Sequence, residues 1–201
     1  MRLFLLIGII YLHLGCQEKV ISTHTSISEY FNYNDSIESA GVKMIPIKTP
    51  VGEFKVWTKR FGKNPKIKIL LLHGGPGMTH EYMECFETFL QREGFEFYEY
   101  DQLGSYHSDQ PTDSSLWTTE RFVDEVEQVR QAIGADSSNF YLLGNSWGGI
   151  LGMEYTLKYQ QHLKGLLISN MVASSTEYGK YANDVLANQM KPEVLQEIRA
   201  I

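Results

Sequence analysis

The feature that most constrains this chain is a five-residue motif, Gly144-Asn-Ser-Trp-Gly148, which directly follows a strand-like apolar run at residues 139–143. A strand that enters a tight turn and continues into a helix of small residues is the context of the G-x-S-x-G nucleophile elbow. Such a turn raises the Ser146 hydroxyl above the edge of a parallel sheet. The alternative interpretation is a glycine-rich turn with a bystander serine, so the motif needs support from elsewhere in the chain.

That support comes from a second motif, His73-Gly-Gly-Pro-Gly77, which follows the apolar run at 67–72. An almost wholly apolar run of this length is typical of a strand buried on both faces of a parallel sheet. The glycines let backbone N–H groups approach a ligand closely, and in acyl transfer such a loop donates to the oxyanion. We therefore predict an oxyanion hole formed by the Gly75 and Trp147 N–H groups. His73 itself is disfavoured as a base, since the base of this fold follows the nucleophile in the chain.

A third motif, Asp101-Gln-Leu-Gly104, completes a set whose order and form resemble the proline iminopeptidases of the α/β-hydrolase superfamily. The resemblance covers roughly residues 41–175. It implies a mostly parallel sheet with helices on both faces, and a serine peptidase that releases N-terminal proline. The chain departs from the family pattern where Tyr106 replaces the second glycine and His107 stands in a position where arginine is common, so that turn is expected to differ in shape.

The resemblance also implies roles for the site residues. Ser146 would be the catalytic nucleophile, and the substrate would be a peptide with a free N-terminus. No cofactor and no metal ion are expected. The remaining motif residues are interpreted as shaping the site rather than reacting: His73, Gly74, Pro76, Gly77, Asp101, Gln102, Gly144 and Gly148.

Composition narrows the class of protein. Of 201 residues, 43% are hydrophobic and 21% are charged, which fits an ordinary globular domain. The net charge of −6 and the absence of a basic patch argue against nucleic acid as a partner.

The N-terminus predicts export. Arg2 precedes a short apolar run, and residues 13–16 read His-Leu-Gly-Cys, which resembles a bacterial lipobox. We predict a lipoprotein signal peptide at 1–15, a lipidated Cys16 as the sole contact with the membrane, and a polar tether at 16–40. The protein would then be a membrane-anchored lipoprotein or periplasmic. A plain signal peptide or an uncleaved anchor are the alternatives, and Cys85 is expected to be a buried thiol.

The elements between the motifs predict an α/β domain at 41–175. Two antiparallel strands are expected near 41–48 and 52–59, with further strands at 67–72, 95–100 and 163–170. A helix at 81–92 should bury one face formed by Tyr82, Phe86, Phe89 and Leu90. A second helix, capped by Thr118 or Thr119, should bury a face spaced at i, i+4, i+7 and i+11, formed by Phe122, Val126, Val129 and Ile133. Gly148, Gly149 and Gly152 should let the helix after Ser146 lie close to the sheet.

The expected triad is not complete in this sequence. His162 is the only histidine after Ser146, and we interpret it as an exposed turn residue. The carboxylates of residues 154, 177, 184, 193 and 197 do not hold the position of the family's acid. The last predicted helix starts at Pro192 and carries an apolar stripe. We therefore expect residues 176–201 to begin a helical cap, with the triad acid and base beyond Ile201.

Three functional interpretations stay open at this point. The first is the proline-releasing aminopeptidase, and the second is an esterase or amidase on the same fold. The third is an inactive truncated product that lacks the triad acid and histidine. Glu177 is a candidate for holding the substrate amino terminus, although a solvated helix-start residue is the favoured interpretation.

Overall fold

A six-stranded sheet forms the centre of the computed structural model, which describes residues 41–172 and 174–200. The predicted signal peptide at 1–15, Cys16 and the tether at 16–40 lie outside these residues, as does Ile201. The strands are β1 (Val42–Thr49), β2 (Gly52–Phe61), β3 (Lys68–Leu72), β4 (Glu96–Tyr100), β5 (Phe140–Asn145) and β6 (Gly165–Ser169).

The strands lie in the order β1-β2-β4-β3-β5-β6. The β1–β2 hairpin and the β2–β4 pair are antiparallel, whereas β4, β3, β5 and β6 are parallel to one another. The predicted antiparallel pair and the predicted α/β class are both confirmed. Because β3 lies between β4 and β5, the loops that follow these three strands meet at one edge of the sheet.

Helices connect the parallel strands and extend beyond the last of them. They are α1 (Cys85–Arg92), α2 (Thr119–Ala132), α3 (Trp147–Tyr159), α4 (Ser175–Tyr181) and α5 (Pro192–Arg199). Short 3₁₀ turns occupy His80–Met83, Ser114–Leu116, Gln160–His162 and Ala187–Gln189, and one π-helical turn occupies Ala182–Leu186. No helix among the described residues is long and apolar enough to cross a membrane.

Apolar side chains pack on both faces of the sheet. Leu70 and Leu72 of β3 belong to the larger cluster, against α2 and α3, while Ile69 and Leu71 belong to a smaller cluster on the opposite face. This alternation confirms that β3 is buried on both sides. The predicted buried face of α2 is also confirmed, and the Thr118 side chain caps that helix by accepting from the Arg121 N–H.

The segment at 81–92 differs from its prediction. The structure has a 3₁₀ turn up to Met83, a break at Glu84, and then α1, in which no residue is buried and Phe89 is 64% exposed. Phe86 and Leu90 are partly buried against the smaller apolar cluster, whereas Tyr82 and Phe89 are exposed, so the predicted face is only partly buried. The prediction that Cys85 is a buried thiol is also wrong, because the first residue of α1 faces solvent.

Glycines bring α3 close to the sheet, as predicted. A Cβ built on Gly148 would lie 2.0 Å from the Leu72 carbonyl oxygen, and one on Gly152 would lie 2.8 Å from Leu166 Cδ1. A Cβ built on Gly144 would lie 2.1 Å from the Gly148 carbonyl oxygen. Only glycine at these positions lets the helix start directly above β3 and β5.

The C-terminal segment begins α5 at Pro192, as the sequence predicts. None of the residues of α5 is buried, and both Val194 and Ile198 are exposed. That these residues begin a helical cap stays a prediction.

Candidate active site

Ser146 lies at the junction of β5 and α3, in a backbone conformation that L-residues rarely adopt, with φ 54° and ψ −122°. Its N–H donates to the Ser169 carbonyl oxygen of β6 at 3.0 Å, and its own carbonyl oxygen accepts from the Gly149 N–H at 2.8 Å. The turn is therefore held from both sides. Its side-chain hydroxyl makes no hydrogen bond to any residue in the described ranges.

The glycine loop after β3 lies beside this serine. A Cβ built on Gly74 would come within 3.2 Å of Ser146 Cβ, so only a glycine fits there without displacement. Gly75 has φ +121°, Gly77 has φ +89°, and the Gly75–Pro76 peptide bond is cis. The loop and the elbow are thus in direct contact.

The two N–H groups predicted to form the oxyanion hole have no acceptor in this structure. Within residues 41–172 and 174–200, neither the Gly75 N–H nor the Trp147 N–H donates a hydrogen bond. Trp147 is the first residue of α3, where backbone N–H groups have no intrahelical partner and the helix dipole favours negative charge. Both groups are therefore free to donate to a ligand.

Gln102 connects all three motifs. Its backbone N–H donates to His73 Nε2 at 3.0 Å, and its side-chain amide donates to the His73 carbonyl oxygen at 3.0 Å. Its Oε1 accepts from the indole N–H of Trp147, also at 3.0 Å. One residue from each motif, namely His73, Gln102 and Trp147, is thus joined into one hydrogen-bonded unit.

His73 is fully buried, and both of its ring nitrogens are occupied. Nδ1 donates to the Gly74 carbonyl oxygen at 2.9 Å while Nε2 accepts from Gln102, which requires the neutral ring. Burial lowers the pKa of His73, more than the Gly74 carbonyl and the Asp101 charge raise it. The ring therefore holds the loop, and the geometry agrees with the interpretation that His73 is not the catalytic base.

Asp101 is also fully buried, and it binds a histidine that sequence analysis did not single out. Its Oδ1 accepts from both the backbone N–H and Nδ1 of His80, each at 2.9 Å, and its Oδ2 accepts from the His107 N–H at 3.3 Å. Burial lowers the pKa of His80, but the hydrogen bond and charge of Asp101, together with the charges of Glu99 and Glu84, outweigh it, so the net pKa is raised. The Trp57 ring stacks on His80 at 4.3 Å between centroids. In the sequence, the one signal for the pair of His80 and Asp101 is that His80 lies just after the glycine loop.

The turn after Asp101 holds a tyrosine in a backbone conformation that favours glycine, and that its shape differs from the family's stays a prediction. Tyr106 adopts φ 32°, in the left-handed region where the family pattern has glycine. Its exposed ring packs on His107 at 3.8 Å between centroids. A buried carboxylate, Glu125, supports the same turn from below: it accepts from the Leu103 N–H at 3.0 Å, and also pairs with the Tyr100 hydroxyl and with Arg121.

An apolar pocket of about 430 Å³ opens beside Trp147. It is formed by the glycine loop, the turn after β4 and the start of α2, and among the described residues no charged side chain lines it. The lining residues are Pro76, Gly77, Leu103, Gly104, Trp117, Thr118, Thr119, Phe122 and Trp147. The pocket suits an apolar group bound next to the serine.

His162 does not match its prediction as an exposed turn residue. Its ring is half-buried, lies 3.3 Å from the Glu127 carboxylate and stacks on Tyr159. The reason is that Glu127 of α2 faces the junction between α3 and β6, and the histidine turns towards this charge. In the part of the chain that the structure describes, no cluster of three metal-ligating side chains occurs.

Glu177 lies exposed in the first turn of α4, where Ser174 caps its N–H. This position agrees with the favoured interpretation of a solvated helix-start residue. Its candidate role in holding a substrate amino terminus stays a prediction.

Comparison with known families and curated proteins identifies relatives of this chain. The family described as "alpha/beta hydrolase fold" matches residues 68–192. The chain is 83% identical to a proline iminopeptidase of Flavobacterium johnsoniae over 78% of its own length and 52% of the relative. It is 79% identical to one of Elizabethkingia meningoseptica over 79% of its length and 53% of the relative. The chain thus spans about half the length of the curated relatives it matches.

Solved structures also match this chain. The crystal structure of a proline iminopeptidase from Mycobacterium smegmatis superposes with a TM-score of 0.67 at 30% identity, covering 77% of this chain and 51% of that one. An esterase from Exiguobacterium antarcticum shares the fold alone, with a TM-score of 0.56 at 20% identity, over 78% of this chain and 60% of that one.

Proposed function

Because this chain belongs to the α/β hydrolase fold family, we propose that the protein is a serine aminopeptidase that releases N-terminal proline from peptides. The observation that carries the proposal is the contact between the Ser146 elbow and a loop with a free N–H group, in a chain 83% identical to a proline iminopeptidase. The contact supports acyl-transfer chemistry, and the relatives support the choice of substrate.

The proposed reaction starts when the Ser146 oxygen attacks the carbonyl carbon of the first residue of the peptide. The Gly75 and Trp147 N–H groups donate to the oxygen that becomes negatively charged, and one such donor typically contributes about 3 kcal/mol to transition-state stabilisation. A histidine accepts the serine proton and then protonates the leaving amine. Water releases proline from the acyl-enzyme and restores the serine hydroxyl.

We further propose that this histidine and its carboxylate belong to the part of the family's length that this chain does not span. Of the four described histidines, His73 and His80 hydrogen-bond within the loops, the His107 ring packs on Tyr106, and His162 pairs with Glu127. None of them hydrogen-bonds to Ser146.

The proposed site for the proline ring is the pocket beside Trp147. Aromatic rings of Trp117, Phe122 and Trp147 line it, and they favour an apolar group over a charged one. A free amino group needs a carboxylate partner, which the described lining lacks. Glu177 is the candidate on this chain.

We also propose that the protein is exported and anchored through a lipid on Cys16, on the strength of the lipobox-like Leu-Gly-Cys sequence. The test is membrane fractionation of the wild type and of Cys16→Ser. Recovery of the wild type in the membrane fraction and of the variant in the soluble fraction would support anchoring. Equal distribution would contradict it.

The test of the proposed activity uses the intact protein with a proline anilide and a short-chain acyl ester as parallel substrates. We expect hydrolysis of the anilide, with Ser146→Ala lowering kcat at least 10³-fold. Preference for the ester would favour the esterase alternative. Absence of both activities would contradict serine hydrolysis by this protein.

A further inference from the structure

We propose that Tyr82 is a positioning residue that fixes the distance between the oxyanion loop and the nucleophile. The inference rests on the proposed function and adds to it a residue outside the three motifs. Tyr82 belongs to the 3₁₀ turn at 80–83, between the glycine loop and α1.

Two hydrogen bonds carry the inference. The Tyr82 hydroxyl accepts from the Gly74 N–H at 2.7 Å and donates to Asn145 Oδ1 at 3.1 Å. Gly74 precedes the proposed oxyanion donor, and Asn145 precedes the proposed nucleophile. One phenol oxygen therefore joins the two loops whose separation determines whether the oxyanion meets its donors.

The same contact selects which glycine donates to the oxyanion. Since the Gly74 N–H is occupied by Tyr82, the next residue, Gly75, presents the loop's free N–H group. Without the phenol oxygen, the Gly74 N–H would have no acceptor in the described structure, and the loop would be free to reorient.

The turn that carries Tyr82 is itself well anchored. Met83 is buried in the smaller apolar cluster, and the His80 N–H donates to the buried Asp101 carboxylate at 2.9 Å. The Tyr82 ring thus has a fixed base. Burial raises the pKa of the Tyr82 hydroxyl, more than its hydrogen bond with Gly74 lowers it, so the phenol stays protonated and able to donate to Asn145 at neutral pH.

Asn145, the second partner of the Tyr82 hydroxyl, is itself hydrogen-bonded to β6. Its side-chain amide donates to the carbonyl oxygen of Ser169 on β6 at 3.4 Å and to its hydroxyl at 3.3 Å. The chain of contacts therefore runs from the glycine loop through Tyr82 and Asn145 to the sheet. Displacement of reacting groups by about 1 Å is enough to lower a rate about 100-fold, so a link of this kind matters for chemistry more than for stability.

The experiment compares Tyr82→Phe with the matched control Tyr141→Phe in the intact protein. Tyr141 lies on β5, and its hydroxyl has no hydrogen bond among the described residues, so the control removes the same group without breaking a link. We expect Tyr82→Phe to lower kcat and the rate of phosphonylation by a fluorophosphonate about 10- to 100-fold, with KM changed less than twofold. The control should match the wild type in all three values.

A second variant tests the link from its other end, and the melting temperature of each variant shows whether the fold is retained. Asn145→Ala breaks the other side of the same link, and the Tyr82→Phe/Asn145→Ala double variant should be little slower than the slower single variant. Full additivity of the two effects would overturn the inference. A fall in kcat at unchanged KM and unchanged melting temperature would support it.

The outcomes separate this inference from the proposed function. If the wild type reacts with the fluorophosphonate and Tyr82→Phe reacts at the same rate, the positioning role is overturned while serine hydrolysis stands. If the wild type does not react, the proposed function fails, and the positioning role fails with it.

Discussion

The backbone at Ser146 is strained, and among the described residues only Tyr106 and Asn170 share a positive φ without being glycine. Its φ of 54° and ψ of −122° cost a non-glycine residue on the order of 1–3 kcal/mol. The strain is explained by what the turn achieves, because it leaves the Ser146 side chain exposed at the junction of β5 and α3.

The first prediction compares two inactive variants at this position. Ser146→Gly and Ser146→Ala both remove the hydroxyl, but only glycine relieves the backbone strain. We expect Ser146→Gly to be more stable than Ser146→Ala by about 1 kcal/mol in urea unfolding. Equal stability would mean that the surrounding loops impose no strain on this residue.

Glu99 of β4 supports a second prediction, on pH. It is fully buried and both carboxylate oxygens lack a hydrogen-bond partner in the described structure. Burial raises the pKa of its carboxyl to about 7, with Glu87 adding to the rise and Lys59 opposing it. The folded state therefore holds this proton to higher pH than the unfolded state, and the contribution of Glu99 to stability falls as the pH rises from about 4.5 to about 7.

Glu99→Gln removes this titration. Relative to the wild type, the variant should gain on the order of 2 kcal/mol of unfolding free energy between pH 5 and pH 8, measured by urea unfolding at each pH. The exposed Glu93→Gln is the control and should show no such trend. A difference between the wild type and Glu99→Gln that stays constant across this window would contradict the assignment.

At the level of single residues, the sequence predicted the site residues that belong to motifs. It missed the residues whose role depends on hydrogen bonds between distant parts of the chain. Ser146 and the loop glycines were identified because their spacing is tied to one backbone geometry. Tyr82 and His80 were missed because their partners lie 63 and 21 positions away in the chain. The burial of Cys85 was predicted wrongly, since residue type alone does not reveal which side of a helix start faces solvent.

Among the elements, α3 depends most directly on its glycines. The third prediction is that Gly148→Ala destabilises the protein by at least 3 kcal/mol, because its Cβ would lie 2.0 Å from the backbone oxygen of Leu72. The control is Gly179→Ala in α4, where a Cβ meets nothing within 4 Å and alanine should stabilise the helix by about 0.5–1 kcal/mol. Urea unfolding measures both. A tolerated Gly148→Ala would mean that α3 can move away from β3.

Helix α2 and the segment at 80–92 show when periodicity succeeds. The apolar positions of α2 recur over fourteen residues, so the spacing averages over local variation and predicts the buried face correctly. The segment at 80–92 is short, and its 3₁₀ turn is anchored by the contact of His80 with Asp101, which no local pattern contains. The π-helical turn at 182–186 has no distinct signal in the sequence either.

For the molecule as a whole, Glu127 joins elements that lie far apart in the chain. Its carboxylate accepts from Arg130 and Gln131 of α2 and from the Tyr155 hydroxyl of α3, and it faces His162 before β6. Burial raises the pKa of this carboxyl, but the hydrogen bonds from Arg130, Gln131 and Tyr155 outweigh it and lower the pKa to about 2.

The fourth prediction concerns acid stability. Because the folded state binds this proton less readily, Glu127 contributes stability above pH 4.5 that is lost as the pH falls towards 2. The difference in unfolding free energy between the wild type and Glu127→Gln should shrink over this range, as measured by urea unfolding at pH 6, 4 and 3. The exposed Glu154→Gln is the control. A constant difference would show that Glu127 acts through packing rather than charge.

The sequence predicted the class of the sheet but not the order of its strands. Alternation of strands and helices indicates parallel pairing with crossovers, but not that β3 lies between β4 and β5. That arrangement depends on pairing between strands separated by whole helices, which the sequence encodes only through burial on both faces.

The central position of β3 has a consequence for how such proteins diversify. The groups proposed to react lie after β3 and β5, and the turn after β4 supports them, while the strands beneath owe their register to backbone pairing and packing. A loop can therefore acquire new residues by mutation, as the turn with Tyr106 and His107 illustrates, without changing the pairing of the strands that carry it. The sheet can be inherited unchanged while the loops acquire new chemistry. Hydrolases as different as peptidases and esterases can therefore retain one sheet.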